Sequence, residues 1–187
     1  MARIELDVRE EVFPIAGKFT ISRGSRTESR VVTVELRAEG MRGQVRGRGE
    51  CYPYPRYGES VESVIGQIEA MRGALSDGLD GAELQAAMPP GAARNGLDCA
   101  FWDLEAKAAG RRAWEIARLP APGPVVTAYT LSLDEPAKMR EKAAENAHRP
   151  LLKIKLGGPG DIERLRAVRE GAPAARIIVD ANEGWTA

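Results

Sequence analysis

The stretch LLKIKLGGPGDIERLRAVREGAPAARIIVDANEGW, residues 151–185, decides the fold because its hydrophobic pattern changes twice. It opens with a short apolar run, continues at helical spacing, and returns to an apolar run before DANEGW. The preceding residues, 125–147, add one more apolar run and one more helical pattern. Residues 125–185 therefore predict the order β-α-β-α-β, which indicates a parallel sheet covered by helices, the start of a (β/α) barrel or a related α/β domain.

The earlier part of the chain has a different rhythm, with strands first and helices afterwards. Two segments of residues 1–50, RIELDVREEVF (3–13) and SRVVTVELRAEG (29–40), alternate between apolar and polar side chains, which is typical of half-buried strands, and GQVRGRGEC (43–51) follows a glycine turn. PIAGKFTISRGSRTES, residues 14–29, predicts a loop between the first two strands. The clearest helix is AARNGLDCAFWDLEAKAAG, residues 92–110, where apolar side chains recur every three or four residues. RLPAPGP, residues 118–124, predicts a linker. We expect an α+β domain over residues 1–120 and a partial barrel domain over residues 121–187.

Composition argues against several classes of function. The 187 residues carry 27 basic and 27 acidic side chains, so neither nucleic acid nor a membrane surface is an expected partner. No apolar run could span a bilayer and no signal peptide is evident, so a cytoplasmic protein is expected. Cys51 and Cys99 lack the paired spacing of a zinc site. The single histidine, His148, lies in a polar helix-end context, which disfavours mechanisms that need a histidine base.

Polar side chains gather at the carboxyl end of each predicted strand. Because side chains alternate along a strand, Lys153 and Lys155 share one face of the second strand. By the same rule, Asp180 and Asn182 share a face of the third strand, and Thr130 lies near the end of the first. In a (β/α) barrel the active site lies at this end of the strands. The sequence thus predicts a hydroxyl, two ammonium groups, a carboxylate and an amide in one region.

Two ammonium groups on one strand face suit acid–base chemistry. Their Cα atoms would stand about 6–7 Å apart, and like charges at that range disfavour each other's protonation. One lysine could then act as a base near neutral pH while the other binds an anion. Asp180 suits a hard cation such as Mg²⁺, which could stabilise an enolate formed next to a carboxylate.

Simpler interpretations exist for each of these residues. Lys153 and Lys155 could be solvated lysines of an edge strand, which protect a sheet from edge-to-edge association. Asp180 could cap a turn, since DANEG has the composition of a turn. Arg23 lies in a loop where arginine is ordinary, and Trp185 carries no pattern that indicates a function.

The motifs together resemble a known family. KIK at residues 153–155 and DAN at residues 180–182 resemble the muconate-lactonizing subgroup of the enolase superfamily. ISRGSRTE (21–28), GECYPYPRYGES (49–60) and GAARNGLDCAFWDLEAK (91–107) are similar to bacterial dipeptide epimerases of the L-Ala-D/L-Glu type. The resemblance covers the whole chain. It implies an N-terminal α+β capping domain that closes over a modified (β/α) barrel.

The resemblance also implies roles for the residues on the strands. Lys155 would be the base that acts on one face of the substrate. Lys153 would lower the pKa of that base and contact the substrate carboxylate. Asp180 would be the first of three carboxylate ligands to Mg²⁺, with Asn182 beside it, and Thr130 would touch the substrate.

Two loops of the capping domain complete the implied site. Arg23, in the first loop, would bind the distal carboxylate of a dipeptide, and residues 51–57 correspond to the second capping loop. The expected partner is a small dipeptide, and the expected assembly is a homo-oligomer.

The implied reaction needs groups that this sequence does not show, namely two further acidic ligands and a lysine on the opposite side of the barrel. We therefore expect the N-terminal portion of a Mg²⁺-dependent epimerase, with an incomplete metal site and no activity by itself. Sibling activities that use the same residue pairs stay open: N-acylamino-acid racemisation, o-succinylbenzoate synthesis and muconate cycloisomerisation. The alternative is a catalytically incompetent fragment that self-associates through its exposed third strand.

Overall fold

The computed structural model describes residues 3–40 and 43–185, which form two compact units. One unit contains the described residues up to Phe13 together with those from Arg30 to Pro122. The other joins Pro14–Ser29 to the described residues from Gly123 onward. The assignment of residues 1–120 and 121–187 as two domains stays a prediction.

The first unit is built on a three-stranded sheet in the order β1-β2-β3. Its strands are β1 (Ile4–Ile21), β2 (Gly24–Gly40) and β3 (Gly43–Cys51). The parts of β1 and β2 next to their connecting turn, Pro14–Ser29, belong to the second unit. β2 and β3 pair antiparallel, from Val32 opposite Cys51 onward. The alternating segments therefore form strands over their described residues, as the sequence predicts. The predicted loop over residues 14–29 is wrong, because β1 and β2 continue through most of it and only Ser22 and Arg23 form the turn.

Helices follow the three strands in the same unit. They are a 3₁₀ turn (Pro55–Tyr57), α1 (Val61–Glu69), α2 (Arg72–Ser76), α3 (Gly81–Ala87), α4 (Ala92–Ala109) and α5 (Ala113–Ile116). Ser60 begins α1 through a capping box with Ser63, because its hydroxyl accepts a hydrogen bond from the backbone N–H of Ser63. The apolar stripe of α4 and the apolar face of β2 form one core, whose fully buried members include Val32, Val34, Leu36, Leu97 and Ala100.

Two glycines let α4 approach β3 closely. A Cβ atom on Gly49 would overlap the carbonyl oxygen of Gly96, and one on Gly47 would overlap that of Ala100. Backbone therefore packs directly against backbone at this helix–sheet contact, and no side chain could be added on the strand without moving the helix.

The second unit contains a parallel sheet in the order β4-β5-β6. Its elements alternate along the chain: β4 (Tyr129–Leu131), α6 (Pro136–Glu145), β5 (Leu151–Lys155), α7 (Asp161–Gly171) and β6 (Arg176–Asp180). The predicted β-α-β-α-β order is confirmed. Leu131, Leu152 and Ile154 point to the helix side, where they pack with Met139 and Val168. The opposite face is consequently the one that presents the polar residues.

None of the helices in the described part of the chain is both long and apolar enough to cross a membrane.

Candidate active site at the carboxyl ends of the parallel strands

Strand register brings the predicted polar residues together. Thr130 on β4 lies opposite Lys153 on β5, and Lys155 lies opposite Asp180 on β6. In a parallel sheet, register partners point to the same face. Thr130, Lys153, Lys155 and Asp180 therefore share one face near the carboxyl ends of three adjacent strands.

The two lysines bind the same carboxylate oxygen. The Nζ atoms of Lys153 and Lys155 each lie 2.8 Å from Oδ2 of Asp180. The other oxygen, Oδ1, accepts a hydrogen bond of 2.9 Å from the backbone N–H of Asn182. The carboxylate is thus fixed by three donors.

The burial of these residues argues against a solvated edge strand. The side chain of Lys155 is only 8% exposed, whereas that of Lys153 is 34% exposed. β5 lies between β4 and β6 in the described sheet, so it is not an edge strand there. Lysine is among the residues least often buried, so a buried lysine beside a carboxylate in this position marks a candidate functional site.

The electrostatics of the cluster stabilise the charged form of Asp180. Hydrogen bonds from Lys153 and then Lys155, followed by that from the Asn182 amide, hold the pKa of the Asp180 carboxyl well below its usual range. Burial acts in the opposite direction and is outweighed. The site therefore holds a permanent carboxylate at neutral pH.

Arg23 is placed beside the segment that follows β6. Its Nη1 donates to the carbonyl oxygen of Asn182 at 2.9 Å and lies 3.0 Å from Oε2 of Glu183. Ser22 Oγ donates to the same carbonyl at 2.9 Å. The loop between β1 and β2, which the resemblance assigns to substrate binding, is thus anchored next to the residues that follow Asp180.

Phe19 and Asn182 add two further features to the site. The ring of Phe19 lies with its centroid 6.0 Å from Nζ of Lys155. The side-chain oxygen of Asn182 is buried and has no hydrogen-bond partner among the described residues. An unpaired buried carbonyl oxygen is unfavourable, which is consistent with a position that contacts a ligand.

Asp161 and Trp185 form a neighbouring contact that sequence reasoning missed. Nε1 of Trp185 donates to Oδ2 of Asp161 at 2.7 Å. A glycine-rich turn followed by an acidic residue at a helix start was the available signal for Asp161. Trp185 had no pattern of its own, because its partner lies 24 residues earlier in the chain.

The chemistry of Asp180 suits a Mg²⁺ ion, but the described residues supply only part of a ligand set. Carboxylate oxygen is a donor that Mg²⁺ prefers. Within residues 3–40 and 43–185, no three His, Cys, Asp or Glu side chains cluster closely enough to hold a metal ion. Asp180 would therefore act as one ligand among others that these residues do not provide.

An α+β unit followed by parallel strands with Lys-x-Lys and Asp at their carboxyl ends defines the class of enolase-type enzymes with a capping domain and a (β/α) barrel. The chain belongs to the mandelate racemase / muconate lactonizing enzyme family, whose N-terminal domain matches residues 3–116. The predictions of family and fold class are confirmed.

Several proteins that this chain resembles are dipeptide epimerases, and others are racemases of N-acylated amino acids. The L-Ala-D/L-Glu epimerase of Escherichia coli is 46% identical over 182 residues, which cover 96% of this chain and 56% of that protein. A crystal structure from Agrobacterium tumefaciens, of an enolase family member with homology to dipeptide epimerases and with sodium and L-Ala-L-Glu bound, matches with a TM-score of 0.90 and 56% identity. It is matched over 97% of this chain and 55% of its own.

A more distant structure contains magnesium. The dipeptide epimerase of Enterococcus faecalis, in complex with Mg and L-Leu-L-Tyr, matches with a TM-score of 0.86 and 28% identity, over 98% of this chain and 55% of its own. The chain thus spans about half the length of the relatives that it matches.

Proposed function

We propose that this chain contributes one side of the active site of a Mg²⁺-dependent dipeptide epimerase acting on L-Ala-D/L-Glu. The reaction would be a 1,1-proton transfer at the Cα atom of the glutamate residue. The observation that carries the proposal is the shared contact of Lys153 and Lys155 with Asp180 Oδ2 on one face of a parallel sheet. The activity of the relatives supports the same reaction.

Lys155 is the proposed base. It is the more buried of the two lysines, and its Nζ lies at the carboxyl end of β5, where a substrate would enter. In its neutral form it would remove the Cα proton and become an ammonium group, and the return of a proton to the opposite face would give the inverted centre. That second step needs a further acid outside the described residues.

Lys153 is proposed to bind the substrate carboxylate, and Thr130 is proposed to contact the substrate. Lys153 is the more exposed of the two lysines, with 34% of its side chain accessible to a ligand. Thr130, its register partner, adds a hydroxyl on the same face. Arg23 is proposed to bind the distal carboxylate of the glutamate side chain, since guanidinium groups pair well with carboxylates.

Asp180 is proposed to hold the metal, with Asn182 beside it. When bound, Mg²⁺ would stabilise the negative charge that develops on the substrate carboxylate. The three donors to Asp180 fix the position of the carboxylate before any ligand arrives. A cytoplasmic location and a homo-oligomeric assembly remain predictions.

Deuterium incorporation at the glutamate Cα tests the proposed function. The protein is incubated with L-Ala-L-Glu and Mg²⁺ in D₂O, alone and with a second polypeptide that carries the later barrel strands of a relative. We expect exchange only in the combined sample, and a loss of at least about 100-fold for Lys155→Ala, as removal of a general base requires. Lys142→Ala, at an exposed lysine paired with Glu145, is the matched control and should keep full exchange. Undiminished exchange in Lys155→Ala would exclude Lys155 as the base.

One observation supports the alternative of a self-associating, inactive protein. β6 lies at the end of the described sheet, and Ile178 and Val179 on it are each 40% exposed. Sheet ends with apolar side chains favour association. Light scattering across a range of protein concentrations distinguishes this alternative, because a concentration-independent monomer would rule it out.

A further inference from the structure

The carboxylate of Asp161, at the start of α7, collects hydrogen bonds from three segments of the second unit. It accepts from the backbone N–H groups of Gly157 and Gly158 at 3.1 and 2.7 Å, in the turn after β5. It also accepts from Arg164 on α7 at 3.2 Å and from Trp185, after β6, at 2.7 Å. Its side chain is only 11% exposed. One carboxylate thus joins the turn after β5 to the segment after β6.

The same two segments pack backbone against backbone. A Cβ atom on Gly184 would lie 2.8 Å from Cα of Gly157, closer than real Cβ atoms approach. A Cβ atom on Gly157 would in turn lie 2.7 Å from Cβ of Ser22. The turn after β5 is therefore enclosed between the segment after β6 and the loop that contains Ser22 and Arg23.

The segment after β6 adopts an unfavourable backbone conformation. Asn182 and Glu183 have φ angles of +48° and +61°, in the left-handed region, which asparagine adopts comparatively readily but glutamate rarely does. Such a conformation persists only when its surroundings fix it. The bond from Trp185 to Asp161 lies two residues beyond this pair and holds the far end of the turn.

The turn at residues 182–183 positions the carbonyl group of Asn182, which accepts hydrogen bonds from the loop of Ser22 and Arg23. The Asn182 carbonyl oxygen accepts hydrogen bonds from both Ser22 and Arg23. If the turn relaxed, that oxygen would move and Ser22 and Arg23 would lose their hydrogen bonds to it, and the contact of Arg23 with Glu183 in the same turn would be displaced as well.

We propose that Asp161 is a positioning residue, which acts through Trp185 to hold residues 181–185 and thereby orders the loop of Ser22 and Arg23. The importance of this loop for substrate binding rests on the proposed function, whereas the link itself is a property of the folded chain. Asp161 touches neither lysine of the candidate site in any described contact.

Partial digestion with trypsin tests the link. Trypsin cleaves after Arg23 and Arg26 when the loop opens, and after Lys138 in α6 when the whole unit unfolds. For Trp185→Phe we expect cleavage in the loop to rise about tenfold, as expected for loss of a hydrogen bond to a charged acceptor, while cleavage after Lys138 stays unchanged. Trp185→Phe is the decisive variant because it leaves every other bond of Asp161 in place.

A second pair of variants uses matched positions in the first turn of α7. Asp161→Ala should also raise cleavage in the loop and should shift the indole N–H proton resonance of Trp185. Glu163→Ala removes a carboxylate from the same helical turn and should do neither. An unchanged loop cleavage rate in Trp185→Phe, or an equal rise at the loop and at Lys138, would overturn the proposal.

The outcome is separable from that of the proposed function. Selective opening of the loop in Trp185→Phe, together with no deuterium exchange with L-Ala-L-Glu in the combined sample that contains the later barrel strands, would keep the positioning role and reject the epimerase reaction. Normal exchange in the combined sample, together with an unchanged loop cleavage rate in Trp185→Phe, would keep the epimerase reaction and reject the positioning role of Asp161.

Discussion

The Nζ atom of Lys155 lies 2.8 Å from Oδ2 of Asp180, and the two residues are also register partners on adjacent parallel strands. Because Lys155 is almost fully buried, water does little to solvate its charge. Its pairing with Asp180 should therefore matter for the stability of the fold as well as for chemistry.

Replacement of Asp180 by asparagine removes the acceptor charge shared by two lysines. We expect Asp180→Asn to lower the free energy of unfolding by about 2 kcal/mol, because Lys155 would be left buried without a counter-charge. Urea denaturation at pH 7 measures the loss. Glu145→Gln, at an exposed ion pair with Lys142, is the control and should change stability by less than about 0.5 kcal/mol. Equal effects of the two substitutions would contradict the expectation.

Acid should weaken the fold through the same carboxylate. The pKa of Asp180 is lowered in the folded protein, chiefly by Lys153 and Lys155, whereas the unfolded chain should have an ordinary value of about 3.9. As the pH falls, the unfolded state binds the proton first, so stability falls with it. The difference in unfolding free energy between the wild type and Asp180→Asn should be constant from pH 7 to about pH 5 and should shrink below about pH 4. A difference that grew on acidification would refute this linkage.

Lys153 and Lys155 should each partly preserve the stability of the fold when the other is replaced, because either one can pair with Asp180. In Lys155→Met, Asp180 keeps its bond to Lys153, and in Lys153→Met it keeps its bond to Lys155. The double variant leaves Asp180 without either cation, so its loss of stability should exceed the sum of the single losses by about 1 kcal/mol. A double-mutant cycle from urea denaturation measures this coupling. Simple additivity would show that the shared oxygen does not couple the lysines.

A methyl group on β3 should separate the sheet from α4. Gly49→Ala places a Cβ atom on the carbonyl oxygen of Gly96, and backbone cannot yield as a flexible side chain does. We expect a loss of about 3 kcal/mol in unfolding free energy. Gly66→Ala is the matched control, because Gly66 lies inside α1 with open space around it, and it should stabilise the protein by about 0.5–1 kcal/mol. An unchanged free energy of unfolding in Gly49→Ala would show that the backbones of β3 and α4 are not in direct contact.

Alternation along single strands made part of the site predictable. The common face of Lys153 and Lys155 follows from their spacing of two residues. The contact of Lys155 with Asp180 does not, because it depends on the register between β5 and β6, which hydrogen bonds between distant segments determine. The resemblance to a family supplied Arg23, which has no local pattern to distinguish it from other loop arginines.

The contacts made by turns were the least predictable features. Asp161 and Trp185 meet because two turns pack at Gly157 and Gly184, and neither turn has a periodicity that reveals its partner. The left-handed conformation of Glu183 was likewise hidden, because glutamate rarely adopts it, whereas asparagine, as at position 182, adopts it comparatively readily.

The hydrogen bond between Ser22 and the Asn182 carbonyl closes a loop of 160 residues. A ribosome delivers Ser22 long before Asn182, and domains fold as units as they emerge. The contacts of Ser22 and Arg23 with Asn182 can therefore form only after nearly the whole described chain has been synthesised, whereas Thr20 can already bond to Leu133. Contacts so distant in sequence form slowly. We expect the contacts of Ser22 and Arg23 to be among the last of the second unit to form during biosynthesis.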